Sequence, residues 1–249
     1  MTIAAFYDQL SSFYHVIYAD WEASVAKQAQ DLDSVIRQVW GQKVNTLLDV
    51  ACGIGTQALG LAARGYHVTA SDLSPKSIAR ARREAEQRHV RIDFSVADMR
   101  QAYQHHQRQF DVVLACDNAV PHLLCDADLL CVFRQLYRCT APGGGCLISV
   151  RDYDAVERRG THVHAYGIRN EGDTRFVLFQ MWDFTGPIYD LTLYCVEDTG
   201  GPECRTYVAR SKYYAVGTNT LIALMTQAGF RDVRRIDERF FQPLLVGSR

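Results

Sequence analysis

One segment constrains this chain more than any other: Leu47-Leu48-Asp49-Val50-Ala51-Cys52-Gly53-Ile54-Gly55-Thr56. An apolar run from Val44 to Val50 stops at a glycine loop. A helical pattern follows to Ala63, with Gly65 where a C-cap belongs. A buried strand feeding a tight glycine turn and then a helix is the repeating unit of a parallel sheet. Gly53 and Gly55 let the backbone approach a ligand closely and take positive φ. Taken alone, the loop is equally an ordinary strand-to-helix turn.

The pattern then recurs. Tyr66 to Ala70 reads as a second strand and Ile92 to Val96 as a third. Phe110 to Cys116 reads as a fourth and Cys146 to Val150 as a fifth. Between them, Pro75 to Gln87 and Asp126 to Cys139 read as helices, the first capped by Ser74 with proline at its first position. Pro142-Gly143-Gly144-Gly145 reads as a turn before the fifth strand. Upstream, the first forty residues read as helical, with Phe6, Tyr7, Leu10, Phe13, Tyr14, Ile17, Tyr18 and Trp21 three or four apart. Glu22 to Trp40 continues as an amphipathic helix that Gly41 ends. Downstream, Arg175 to Phe184 and Ile188 to Glu197 form a hairpin across Gly186-Pro187, and Tyr207 to Tyr214 adds a strand. The helix Leu221 to Ala228 and a strand over Phe240 to Val246 close the chain. The expected divisions are a helical cap (1–41), a nucleotide-binding-type core (42–154), an antiparallel insertion on the substrate side (155–210) and a return to the core sheet (211–249).

Two acids strengthen the ligand reading. Asp72 ends the second strand, 17 residues after Gly55, where a carboxylate accepts both hydroxyls of a ribose. Asp98 follows the third strand, placed to accept from an adenine amino group with Met99 against the ring. Ligands of open parallel sheets bind at the carboxyl ends of the strands, where all three features fall. A nicotinamide cofactor is disfavoured: its G-x-G-x-x-G loop would begin at position 51, which is alanine. The form D-x-A-x-G-x-G instead resembles class I S-adenosylmethionine (SAM)-dependent methyltransferases. That resemblance implies an α/β, Rossmann-like seven-stranded sheet with a reversed last strand. It also implies SAM as cofactor and S-adenosylhomocysteine (SAH) as product. Asp49, Ala51, Gly53 and Gly55 would lie beside the methionyl group, and Leu73 and Cys116 would complete the cofactor wall.

The substrate side is read separately, because fold does not fix substrate. The fourth strand leads into Asp117-Asn118-Ala119-Val120-Pro121-His122, without the [DNS]-P-P-[YFW] motif of base-modifying methylases. The fifth leads into Arg151-Asp152-Tyr153-Asp154. A guanidinium at the end of a central strand can hold a carboxylate with two parallel hydrogen bonds. It can equally pair with Asp152 or Asp154 on the surface. The set DVACGIGT, DNAVPHL, APGGG and VRDYDAV resembles the glycine and glycine/sarcosine N-methyltransferases. That resemblance gives Arg151 the amino-acid carboxylate and Asn118 a substrate contact. It puts His122 near SAM, Tyr7 near the methyl group, Tyr18 beside it and Tyr213 on the substrate. It further implies a small carboxylate-bearing amine as acceptor, a homo-oligomer, and positioning rather than strong base catalysis. Amino-sugar N-methyltransferases share the glycine loop and N-terminal aromatics. A SAM- or SAH-binding protein without turnover is the third reading.

A net charge of −1 over 249 residues argues against a duplex nucleic-acid partner. No apolar run approaches a membrane span, and the start lacks a signal-peptide pattern, so a cytoplasmic location with reduced cysteines is expected. His162-x-His164 lacks a matched second pair, so no metal is expected. His105-His106 reads as solvated. Trp182 and Phe184 read as hairpin packing.

Overall fold

Leu47 and Leu48 are fully buried and Asp49 nearly so, which leaves no face of strand β1 (Thr46–Asp49) for solvent. Such a strand must lie inside a sheet covered on both sides. In the computed structural model, which describes residues 2–249, β1 pairs in parallel with β2 (His67–Asp72) on one side and β4 (Phe110–Ala115) on the other. β3 (Ile92–Val96) extends the sheet beyond β2, and β5 (Thr140–Ser149) beyond β4. Past β5 lie β11 (Leu244–Ser248), antiparallel to it, and β10 (Arg231–Ile236). The order is β10-β11-β5-β4-β1-β2-β3. Strand order reverses between β1 and β4, so the loops leaving their carboxyl ends diverge and open a crevice.

Helices α2 (Trp21–Trp40), α3 (Thr56–Ala63) and α4 (Pro75–Gln87) share one face of the sheet with a core around Leu32, Ile36, Leu47 and Leu59. The other face packs α6 (Asp126–Cys139) and α7 (Thr218–Gln227) through Phe133, Leu136 and Met225. Four strands, β6 (Arg159–Glu171), β7 (Thr174–Thr185), β8 (Ile188–Asp198) and β9 (Arg205–Tyr214), form a separate antiparallel sheet in that order. Its inner face closes a third core against α1 (Ile3–Leu10) and the turn after it, through Phe6, Leu10, Phe13, Trp182, Tyr189 and Leu193. Short α5 (Ala102–His106) completes the set.

The expected boundaries of α4, α6 and β3 coincide with the observed ones. Two expectations are corrected. The glycines of APGGG lie inside β5 rather than before it. There the register shifts between Phe110 and Val112, and a Cβ on Gly144 would sit 2.1 Å from the Asp111 carbonyl oxygen. Close backbone approach at a bulge, not a turn, is what the glycines serve. The antiparallel sheet ends in β9, where a strand over Tyr207–Tyr214 is expected, with Ala209 and Tyr213 buried. It also gains β6, and the main sheet gains β10, neither of which was expected.

Gly145 lies under Trp40: a Cβ there would meet the indole at 2.1–2.2 Å, while the indole Nε1 donates to Ser248 Oγ at 3.0 Å. Gly145→Ala should therefore overpack this seam by about 1–3 kcal/mol. A chain of this size then loses roughly 2–4 °C in Tm per kcal/mol. A thermal melt with unchanged Tm would show that Trp40 swings away freely. No described helix is long and apolar enough to cross a membrane. All eight cysteines are free.

Candidate active site

A cavity of about 290 Å³ opens where β1, β2 and β4 end. Its floor is the glycine loop, with Gly53 at φ +54° and Gly55 at φ +101°, both left-handed. Gly55 caps α3, and a Cβ on Gly53 would meet nothing within 4 Å. Asp72 braces the loop: Oδ2 accepts from Gly53 N and Oδ1 from Ser74 N, each at 2.8 Å. Burial pushes its carboxyl up despite these bonds. Asp49 lies behind the loop, 1% exposed. Its Oδ1 accepts from Ala51 N at 3.2 Å, while Oδ2 is buried without a partner. Burial, reinforced by the Asp72 charge, raises its pKa to about 7. Asp98 lines the far end. Burial alone would raise its pKa, but Arg100, at 2.6 Å, outweighs that and holds it low.

The N-terminal aromatics split between two jobs. Phe6, Leu10, Phe13 and Val16 are core, whereas Tyr7, Tyr14 and Tyr18 turn their hydroxyls into the cavity. Asp8 fastens this segment to the start of α4, accepting from Ser74 Oγ at 2.5 Å and Lys76 N at 3.1 Å. The Tyr7 hydroxyl lies 2.7 Å from His122 Nε2 and 3.5 Å from the Tyr213 hydroxyl. Burial raises the Tyr7 pKa, so the phenol keeps its proton and donates. Burial, with Arg151 nearby, lowers His122 to about 3, so its ring is neutral and accepts. Tyr213 stacks on His122 with centroids 4.0 Å apart; Tyr214 faces away, to Asp126.

Behind that layer sits Arg151. Its guanidinium carbon lies 4.8 Å from the Trp182 ring centroid and 5.6 Å from that of Tyr213, and Nη1 donates to the Tyr189 hydroxyl at 3.1 Å. The acids that might have neutralised it are engaged elsewhere, Asp152 with Arg235 at 2.6 Å and Asp154 with Arg158 at 3.1 Å. The surface-pairing alternative for Arg151 is thereby removed. His164 stacks on the outer side of Trp182, 3.8 Å between centroids.

The structure thus gathers Tyr7, Tyr18, Ala51, Gly53, Asp72, Leu73, Asp98, Met99, Cys116 and His122 around the cavity. Asp49 and Gly55 support it from behind, and Arg151 and Tyr213 lie beyond its Tyr7–His122 wall. Asn118 does not line the cavity. It is 2% exposed, and both ends of its amide are used: Nδ2 donates to Tyr153 Oη at 2.8 Å and Oδ1 accepts from Arg151 N at 3.0 Å. It positions the Arg151 backbone rather than facing the cavity. The cause is local: Asp117 and Asn118 are both left-handed, φ +55° and +63°, which turns Asp117 inward instead. Asp and Asn are the non-glycine residues that best tolerate that region, a signal the sequence did carry. Tyr14, Thr56, Asp117 and Trp182 were also missed as site residues. His106 is not solvated: it lies 3.2 Å from Ser71 Oγ and is lowered to about 4 by burial and by His105. Among the described residues, no group of three or more acids, His or Cys is arranged to hold a metal.

The reversed seventh strand, the glycine loop on β1 and the acids ending β2 and β3 define the class I methyltransferase fold. Residues 47–144 match the family model described as a methyltransferase domain. The glycine/sarcosine N-methyltransferase of Parasynechococcus marenigrum is 29% identical over 144 residues, 58% of this chain and 50% of the relative. The chain spans about half the length of the curated relatives it matches. Among solved structures, Streptomyces venezuelae DesVI superposes with a TM-score of 0.81 at 20% identity, covering 100% of this chain and 98% of DesVI. SAM-bound CalS10, an amino pentose methyltransferase from Micromonospora echinaspora, superposes with 0.80 at 20% identity, covering 96% and 95%.

Proposed function

We propose that the chain is a SAM-dependent methyltransferase acting on the amine of a small carboxylate-bearing molecule. The observation that carries the substrate half is Arg151, a permanent cation boxed by Trp182, Tyr189 and Tyr213 with no acid partner among the described residues. A half-buried guanidinium without a counter-charge is costly unless a ligand supplies one. The cofactor half rests on the orphaned Asp49 Oδ2 and the open space above Gly53. Asp72 would hold the ribose, Asp98 and Met99 the adenine end, and the loop over Asp49 the methionyl end. SAM supplies an activated sulfonium methyl when bound.

The protein's own part is placement. Arg151 anchors the carboxylate, and the Tyr7–His122–Tyr213 layer sets the approach of the amine lone pair. Neutral His122 adds no positive charge beside the nitrogen, which becomes cationic as the neutral amine takes the methyl. The N-terminal segment covers the site and excludes water. Positioning of this kind is worth about 7–11 kcal/mol of barrier. A second reading keeps the cofactor and exchanges the acceptor for an amino sugar; the likeness over 96% of this chain to CalS10, an amino pentose methyltransferase, favours it.

The test is SAH release from SAM with glycine, sarcosine, dimethylglycine, other amino acids, amino sugars and hydroxyl acceptors, with product masses recorded. Turnover confined to carboxylate-bearing amines is expected. Turnover of amino sugars alone would replace that acceptor class with the second reading. A thermal shift with SAM but no turnover across the panel would overturn the enzymatic reading in favour of a binder.

A further inference from the structure

Asp117 lines the cavity with a charge that only neutral groups meet. Its Oδ2 accepts from Tyr18 Oη at 3.0 Å and Tyr14 Oη at 3.3 Å. Its Oδ1 accepts from Gln242 Nε2 at 3.3 Å. A ring of bonds fixes this arrangement: Asp117 N donates to Ser149 Oγ at 2.6 Å, and Ser149 Oγ donates to Gln242 Oε1 at 2.9 Å. Tyr14 stands 6.3 Å from Tyr18 and 6.2 Å from Tyr7 between ring centroids. A fixed carboxylate rimmed by three phenol rings suits an organic cation, which takes the charge on one side and π-faces on the others. It does not suit a metal ion, which needs several oxygen ligands.

Arg151 lies on the far side of Tyr7, so the site has a negative pole at Asp117 and a positive pole at Arg151. We propose that Asp117, with Tyr14 and Tyr18, binds an alkylammonium group, so that the two poles together read a zwitterion. This rests on the methyltransferase reading above. Two zwitterions then qualify, the amino-acid end of the cofactor and the acceptor. The shared chemistry is the ammonium, and the sources separate by experiment.

The variant is Asp117→Asn, which keeps size and tolerance of the left-handed backbone, so its Tm should match or exceed the wild type. Calorimetry compares each aminated probe with an analogue lacking the amine: SAH against 5′-methylthioadenosine, and glycine against acetate in the presence of saturating SAH. At least a tenfold loss is expected for one aminated probe, with its amine-free analogue unaffected. Loss with SAH assigns the ammonium to the cofactor; loss with glycine assigns it to the acceptor. Equal effects within both pairs, or no effect, would overturn the proposal while leaving the methyltransferase reading in place. Failure of SAH to bind the wild-type protein would overturn both.

Discussion

Replacing Arg151 with methionine is expected to lower kcat/KM for a carboxylate-bearing acceptor about 10²-fold, while Tm and SAH affinity hold. Removing one partner of a buried, hydrogen-bonded charge pair costs roughly 2–5 kcal/mol, and 1.4 kcal/mol is tenfold. Most of that would be realised here, because Arg151 leans on tyrosine hydroxyls and ring faces and on no acid among the described residues. The stability side follows from the same geometry. No ion pair is broken, since Asp152 and Asp154 keep Arg235 and Arg158, and methionine fills the aromatic box at no desolvation cost. SAH is spared because Arg151 does not line the main cavity. Steady-state kinetics with a melt and SAH calorimetry on the same preparation check all three. Wild-type kcat/KM would reject the anchor role. A collapse of Tm with parallel loss of SAH binding would make Arg151 a structural residue instead.

The cofactor half of this site was legible because each of its signals is local. Glycine spacing, an acid closing a strand and a Ser-Pro helix start act over a few residues, and so the loop, Asp72, α4 and β3 fell where expected. The substrate half depends on which way side chains point after long-range packing. Asn118 and Asp117 exchange places through two positive φ values that hydropathy does not record. Arg151 could be placed at a strand end from the sequence. That its neighbouring acids are taken by Arg158 and Arg235 required the fold. The missed strands have a common cause. β10 reads RDVRRI and β6 carries exposed Val163 and Ile168, and both are edge strands that lack the buried alternation that marks a strand. Periodicity alone makes the N-terminal stripe uniform, because Phe and Tyr share its spacing. Phenylalanines went to the core and the tyrosines at 7, 14 and 18, with a polar tip to satisfy, went to the cavity.

Asp49 supplies a prediction in which ligand binding and stability move in opposite directions. Its carboxyl, buried and facing the Asp72 charge, titrates near 7 in the folded chain against roughly 4 when unfolded. Between those values the native state holds a proton that the unfolded chain has released. Ligand-free stability therefore falls as pH rises through that window, by up to roughly 1.4 kcal/mol per pH unit, and levels off above it. Asp49→Asn removes the titrating group and keeps an oxygen for Ala51 N. The variant should melt about 5 °C or more above the wild type at pH 8, and the gap should close towards pH 4. Binding runs the other way. The ionised carboxylate beneath the loop favours a cationic ligand, so wild-type affinity for SAM should rise from pH 6 to 8. The variant should bind SAM about tenfold more weakly at pH 8 and lose that pH dependence. SAH, which lacks the sulfonium charge, should lose less. Melts of ligand-free protein across pH, with SAM and SAH calorimetry at pH 6 and 8, decide it. A variant less stable than wild type at pH 8 would mean that the unpartnered Oδ2 costs the fold nothing. Wild-type SAM binding flat from pH 6 to 8 would mean that Asp49 does not titrate there.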